Sequence, residues 1–189
     1  MPMLEVQPPK ERIKREAMRL FVEHGVDAVS MRDIAEAVGM KAPSLYAHFR
    51  SREELIGALF HASYTEYGRV LAQAAAAPGG FRRQLEVMVR AICALHAADE
   101  LLFNFLLLTQ HASLRQDMPE ERNPVAVICR WVADAMAEGE IPAGNATLLA
   151  GAIIGVIVQN ATFRLYGRLT EGLAAYADEI VSICLRIVS

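Results

Sequence analysis

The sequence predicts an all-α protein: a three-helix helix-turn-helix head followed by a larger helical body, about nine helices in all. Three observations lead there. Apolar residues recur at helical spacing along the whole chain, and period-two alternation is missing. Two capping signals, Ser30 with Asp33 and Ser51 with Glu54, each open a helical stretch. Gly25, Gly39 and the run Pro78-Gly79-Gly80 punctuate the stretches between.

In chain order, Met1 to Pro8 reads as a disordered arm. The first helix starts near Pro9, since proline suits a first turn, and carries the stripe Ile13, Ala17, Leu20, Phe21 up to Gly25. The second follows Ser30, turns Ile34, Ala35 and Val38 inward and stops at Gly39. The third begins a few residues later and runs to about Arg50, with Leu45 and Phe49 one turn apart. The fourth opens at Ser51 and passes Leu55, Leu59 and Tyr67 towards Ala74 to Ala77. Beyond the glycine break, helices are expected at 81–98, 100–114, 124–138, 145–169 and 173–188, with a polar loop at 115–123 and a turn at 139–144. The expected division is a head over 9–54 and a body over 55–189.

Composition narrows the function. Of 189 residues, 53% are hydrophobic, above the usual share for a globular domain, which argues for apolar surface buried on a second subunit or a ligand. The net charge of −3 does not by itself point to nucleic acid, and the head is near neutral. Cations are nevertheless concentrated: Lys41 to Arg52 contains three and no acid, and Lys10 to Arg15 contains four and one acid. Three dispersed cysteines, Cys93, Cys129 and Cys184, suit reduced packing thiols in a cytoplasmic protein. The N-terminus has no signal-peptide pattern, and the apolar run Leu148 to Val158 is too short for a bilayer, so no membrane partner is expected.

Two short helices joined by a glycine turn and backed by a first helix form a DNA-reading head, whose second helix of the pair enters the major groove. On a helical wheel Leu45 and Phe49 mark the core side of the third helix. Pro43, Ser44 and Ala47 point outward, with Tyr46 and His48 on the flanks. An outward face this small permits close approach to base edges. Pro43 and Ala47 can meet thymine methyls and Ser44 a base or a phosphate. Arg32, Lys41 and Arg52 stand where they can neutralise phosphates, and Arg32 can also reach a guanine.

The stretch from Ser30 to Leu55, with Ile34-Ala35, Gly39, Leu45-Tyr46, Phe49 and Arg52-Glu53-Glu54-Leu55, resembles the signature of the tetracycline-repressor (TetR) family. Ala17, Leu20-Phe21 and Gly25 extend the resemblance over about residues 9–60. The resemblance implies a homodimeric repressor released from a pseudo-palindromic operator in double-stranded DNA by a small effector. It implies that Arg32, Ala42, Pro43 and Ser44 face bases, and that Met31, Lys41, Tyr46, His48 and Arg52 face the sugar-phosphate backbone. Two positions depart from the pattern. Lys41 stands where many members carry a capping Ser or Thr, and Met31 replaces a common Thr.

The body leaves more readings open. The eighth helix is apolar almost all round from Leu148 to Val158, and the ninth carries Tyr176, Ile180, Ile183 and Ile187. An ordinary core would explain both, and so would a dimer interface through helices 8 and 9. Gly151 and Gly155, one turn apart, cut a flat groove that admits either a partner helix or a neighbour of the same subunit. Tyr64, Met88, Phe103, Phe105 and Trp131, with Asn104, Gln159 and Asn160 as sparse polar groups, are candidates to line an effector cavity or to be plain core. Arg164 either pairs within the chain or anchors an acid group. His96, Asp99, Glu100 and His111 have no diagnostic metal spacing, and a surface or pocket role competes. No nucleophile or acid/base constellation stands out, so neither an enzyme nor a cofactor is expected. The runner-up reading from another class is a ligand-binding or protein-interaction module whose head no longer binds DNA, which the near-neutral head charge keeps open.

Overall fold

The computed structural model describes residues 8–113 and 119–188, so the expected N-terminal arm and part of the 115–123 loop lie outside the described residues. The helices are α1 (Pro9–His24), α2 (Met31–Ala37), α3 (Ala42–Tyr46), α4 (Arg52–Ala75), α5 (Gly80–Ala98), α6 (Glu100–Ser113), α7 (Pro124–Ala137), α8 (Ala146–Leu165) and α9 (Ala177–Ile187). Single 3-10 turns occupy Val26–Ala28, Glu120–Arg122 and Leu173–Tyr176, and no strand occurs among the described residues. The fold is all-α, as the periodicity predicts.

Both capping signals operate. The Ser30 hydroxyl accepts from the Asp33 amide at 3.3 Å while the Asp33 carboxylate accepts from the Ser30 amide at 2.8 Å. Ser51 accepts from the Glu54 amide at 3.1 Å, and the Glu54 side chain reaches back one residue further than expected, to the Arg50 amide at 2.7 Å. Gly39 has φ +68°, and its amide and that of Met40 bond to the Glu36 and Ala35 carbonyls at 3.0 and 2.8 Å. This is the closure a left-handed C-terminal residue permits, and it makes the tight turn between α2 and α3.

Three boundaries differ from expectation. The third helix stops at Tyr46 instead of running to Arg50. Ser51 must be extended to cap α4, so the chain leaves helical geometry before it. The eighth helix stops at Leu165 instead of residue 169, because Gly167 (φ +69°) closes it through Arg168 N–H to Phe163 O and Gly167 N–H to Arg164 O. The ninth begins as the 3-10 turn Leu173–Tyr176 before the α-helix proper. At 20 residues, α8 is also long and apolar enough to cross a membrane by length and composition, where the shorter run Leu148 to Val158 is not.

Packing produces two hydrophobic clusters. The head cluster joins Ile13, Ala17 and Phe21 of α1 to Ile34, Leu45, Phe49, Leu55 and Phe60. The body cluster joins α5, α7, α8 and α9 through Leu85, Met88, Ile128, Val132, Ile153, Ile157, Ile180 and Cys184. Two helices belong to both. Helix α4 gives Phe60 and Tyr64 to the head cluster and Leu71 and Ala74 to the body cluster. Helix α6 gives Phe105 and Leu106 to the head, where the Phe21 and Phe105 rings stack at 6.0 Å, and Phe103 to the body.

Candidate functional site

On α3 and the turn that follows it, Leu45 and Phe49 are buried, while Pro43, Ser44, Tyr46 and Ala47 are exposed and Ala42 and His48 are half-buried. Lys41 is exposed just before the helix and makes no side-chain cap. Arg32 projects from α2 into solvent. The exposed edge of the head therefore carries small groups on one short helix, flanked by cations. Met31 departs from this arrangement. Its side chain is 6% exposed and lies in the head cluster, because position N1 of α2 faces α1.

The basic runs divide by use. Lys10 lies over the Phe49 ring at 5.2 Å, and Arg12 donates to the Val38 carbonyl at 3.2 Å. Arg15 bonds both oxygens of Asp99, at 2.7 and 2.6 Å. Arg52, expected at the DNA backbone, instead donates to the carbonyls of Val26 and Val29 at 2.5 and 3.3 Å, tying the start of α4 to the α1–α2 connection. Arg32, Lys41 and Arg50 remain exposed, with no ion pair or side-chain hydrogen bond among the described residues. Arg50 is the exposed cation of this edge that sequence reasoning left outside the candidate site. Its signal was its place in the acid-free run from Lys41 to Arg52.

In the body, a cavity of about 100 Å³ lies between α4, α5, α6, α7 and α8. Its walls are Tyr64, Tyr67 and Leu71 of α4, Ile92 of α5, and Phe103, Leu106, Leu107 and Gln110 of α6. Pro124, Val125 and Ile128 of α7 and Ile154, Ile157 and Val158 of α8 complete them. Of the candidate effector residues, Tyr64 and Phe103 line it. Burial pushes the Tyr64 hydroxyl up to about 12, so it stays protonated and can donate. Met88 and Phe105 are buried elsewhere in the two clusters. Trp131 stacks on Phe81 at 4.2 Å and donates to Gln84 at 2.7 Å. Gln159 is exposed, and Asn160 donates to the Val156 carbonyl of its own helix at 2.7 Å. The amide on the wall is Gln110, legible in retrospect from the α6 stripe 103, 106, 107, 110.

Against the cavity-lining Phe103, at the α5–α6 corner, stands His96, and Asn104 follows Phe103 on α6. His96 and Asn104 are 1% and 7% exposed, and neither His96 ring nitrogen nor the Asn104 Oδ1 has a hydrogen-bond partner among the described residues. The His96 ring meets the Phe103 ring edge-on at 5.1 Å. Burial lowers the His96 pKa, Glu100 pulls it back up and Arg164 adds to the lowering. Arg164 pairs with Glu100 at 3.2 Å. Asp99 is turned to Arg15 of the head. Burial alone would raise its carboxyl, but Arg15 and the Leu102 amide hold it below the ordinary value. No group of three or more His, Cys, Asp or Glu among the described residues is placed to hold a metal ion.

The outer face of α8 carries Leu148 (73% exposed), Gly151, Ala152, Gly155 and Phe163, with Tyr166 just past its end, and Ile183 and Ile187 of α9 are exposed as well. A Cβ built on Gly151 or Gly155 would meet nothing within 4 Å, so none of the described residues of the same subunit packs on these glycines. Ile180 turns the other way, into the protomer core, and Tyr176 is half-buried.

Comparison with known proteins places this geometry. Residues 13–59 match the family model of bacterial regulatory proteins, tetR family. The transcriptional repressor ComR of Escherichia coli (strain K12) is 51% identical over 43 residues, covering 23% of this chain and 20% of that protein. The chain thus matches about a fifth of that relative's length. Solved structures match over nearly the whole chain. A tetR-family regulatory protein from Rhodococcus RHA1 has a TM-score of 0.77 at 20% identity, covering 96% of this chain and 97% of that one. The regulator FadR from Bacillus subtilis, solved in complex with stearoyl-CoA, has a TM-score of 0.71 at 19% identity, covering 95% and 97%. At these identities the likeness is one of fold.

Proposed function

We propose, from the premise that residues 13–59 are the head of the tetR family of bacterial regulatory proteins, that the whole chain is a sequence-specific DNA-binding transcriptional regulator. In this reading residues 9–54 bind DNA and residues 55–189 dimerise and hold an effector. The chain acts as a cytoplasmic repressor, with no catalytic role, released from a pseudo-palindromic operator. The observation that carries it is the exposed edge of the head: Arg32, Lys41 and Arg50 unpaired around the small outward groups Pro43, Ser44 and Ala47.

Arg32, Ala42, Pro43 and Ser44 read bases, and Lys41, Tyr46, His48 and Arg50 hold phosphates. Arg52 supports the head from behind. Dimerisation uses the outer face of α8 with Ile183 and Ile187 of α9. An exposed apolar surface that includes a glycine groove asks for a cover, and a two-fold contact is the commonest solution. The apolar cavity supports an effector that is mainly apolar. FadR of Bacillus subtilis, which shares the fold, is solved in complex with stearoyl-CoA. Coupling runs through α6 as well as α4. Phe103, Leu106 and Leu107 of α6 line the cavity while its Phe105 sits in the head cluster, so a ligand that displaces α6 displaces α1 with it.

Fluorescence anisotropy of the purified chain with the DNA upstream of its own gene tests this. Saturable, salt-sensitive binding that a scrambled duplex does not compete is the expected result. Equal affinity for both duplexes, or none for either, would favour an interaction module that has lost DNA reading.

A further inference from the structure

We infer that the cavity continues behind Phe103 into a buried polar end made by His96 and Asn104, and that the effector is a small uncharged apolar molecule carrying a hydroxyl head. The inference rests on the effector-responsive reading above and names the ligand class for that site.

The continuity follows from helix faces. On α5, His96 lies one turn beyond the cavity-lining Ile92. On α8, Arg164 lies two turns beyond the lining Ile157, with buried Ala161 between them. On α6, Asn104 follows the lining Phe103 and stands one turn from Glu100. Three helices that wall the cavity thus turn polar at the same end. The Phe103 ring is the partition, facing the cavity on one side and His96 at 5.1 Å on the other.

A buried polar group without a partner costs free energy, so His96 and Asn104, left this way together with the Arg164 Nε, are an address for a ligand that completes them. A neutral imidazole offers one donor and one acceptor, and the Asn104 Oδ1 offers an acceptor. A hydroxyl both accepts and donates, which fits this set. Charge decides against an anion. Arg164 is ion-paired with Glu100 at 3.2 Å, its Nε without a hydrogen bond, so the fixed charges cancel, and a carboxylate would enter beside the Glu100 carboxylate at a cost that a neutral hydroxyl avoids. Size sets the scale of the apolar part. A cavity of about 100 Å³ is somewhat below the roughly 150 Å³ that takes up benzene. Displacing the Phe103 ring supplies the difference and opens the way to His96.

Isothermal titration calorimetry of the full chain with phenol, benzene and benzoate, without DNA, tests this. Phenol should bind about tenfold more tightly than benzene, the worth of one good hydrogen bond, and benzoate should not bind. His96→Phe and Asn104→Leu should each bring the phenol-to-benzene ratio close to one. Should either variant fail to fold, nitrogen NMR of the His96 ring in the wild type gives the same answer, because phenol and not benzene should shift it. Equal binding of phenol and benzene, tightest binding of benzoate, or no binding of any probe at millimolar concentration would each overturn the proposal. A phenol preference in a chain that ignores DNA would sink the regulator reading and leave this site standing.

Discussion

One nitrogen of Arg15, on the first helix of the head, holds both carboxylate oxygens of Asp99, at the corner between α5 and α6 of the body. The pair spans 84 residues of chain and fixes α1 to the element that walls the cavity. Both side chains are partly exposed, so the bond contributes only about 0.5–1 kcal/mol to stability. Its larger effect is on coupling. Asp99→Asn should leave operator affinity of the free protein within about threefold while reducing the drop in affinity that effector causes. Anisotropy titrations with and without effector measure both; an unchanged drop would remove the pair from the coupling path.

The two groups of head cations should respond differently to removal. Lys41→Ala and Arg50→Ala should each lower the salt slope of DNA binding by about one, with unfolding unaffected. Arg52→Ala should instead lower unfolding free energy by about 1–2 kcal/mol, through the lost bonds to Val26 and Val29. Urea denaturation beside salt-dependent anisotropy separates the two effects. An Arg52 variant of full stability with a shallower slope would return that residue to the DNA backbone.

Two glycines of α4 make a matched pair. A Cβ at Gly57 meets only the His61 ring at 3.9 Å, so Gly57→Ala should stabilise by up to about 1 kcal/mol. A Cβ at Gly68 runs into the Arg122 carbonyl, a backbone atom that cannot swing aside. Gly68→Ala should therefore destabilise by about 1–3 kcal/mol despite the better helix propensity. Thermal melts of the two variants should move in opposite directions.

Dimerisation should be separable from folding. Gly155→Leu adds bulk where a Cβ meets nothing within 4 Å, and Ile183→Glu adds charge to a side chain 37% exposed on the same outer side. Sedimentation should show a wild-type dimer and monomeric variants with unchanged helical circular dichroism. A monomeric wild type at micromolar concentration would remove the α8–α9 interface, and dimeric variants would move it to another face.

Acid should find His96. Its pKa in the folded chain lies below the ordinary 6.5, chiefly from burial, with Glu100 opposing and Arg164 assisting. The unfolded chain therefore takes up the proton more readily. The neutral ring's contribution is intact above pH 6.5 and is lost as pH falls below it. Melting temperature should fall between about pH 7 and pH 5, and His96→Phe should flatten that fall. Parallel pH profiles for the two proteins would assign the acid sensitivity to other groups.

The head was largely legible in the sequence because its signals are local. Ser30 with Asp33, Gly39, and Leu45 with Phe49 act within a few residues, and each behaves as its spacing predicts. The use of the cations was not legible. Arg52 differs from Arg50 chiefly in meeting the Val26 and Val29 carbonyls, which belong to a loop more than 20 residues away. In the body, apolar stripes located the helices but not the cavity. Met88 and Phe103 look alike as sequence, and only the packing of five helices puts one beside the void and the other in the core. The outward turn of Gly151 and Gly155 against the inward turn of Ile180 was open for the same reason.

Because Phe105 of α6 completes the cluster around Phe21, this head has no finished hydrophobic surface of its own. Anyone exchanging heads between regulators to change their operators would have to cut somewhere other than the short link between α3 and α4. A graft made there would leave an aromatic socket open on the transplanted piece and a bare phenylalanine on the recipient. The interchangeable part is the recognition surface, a handful of residues on α2 and α3, and swapping only those should carry specificity across without breaking the joint.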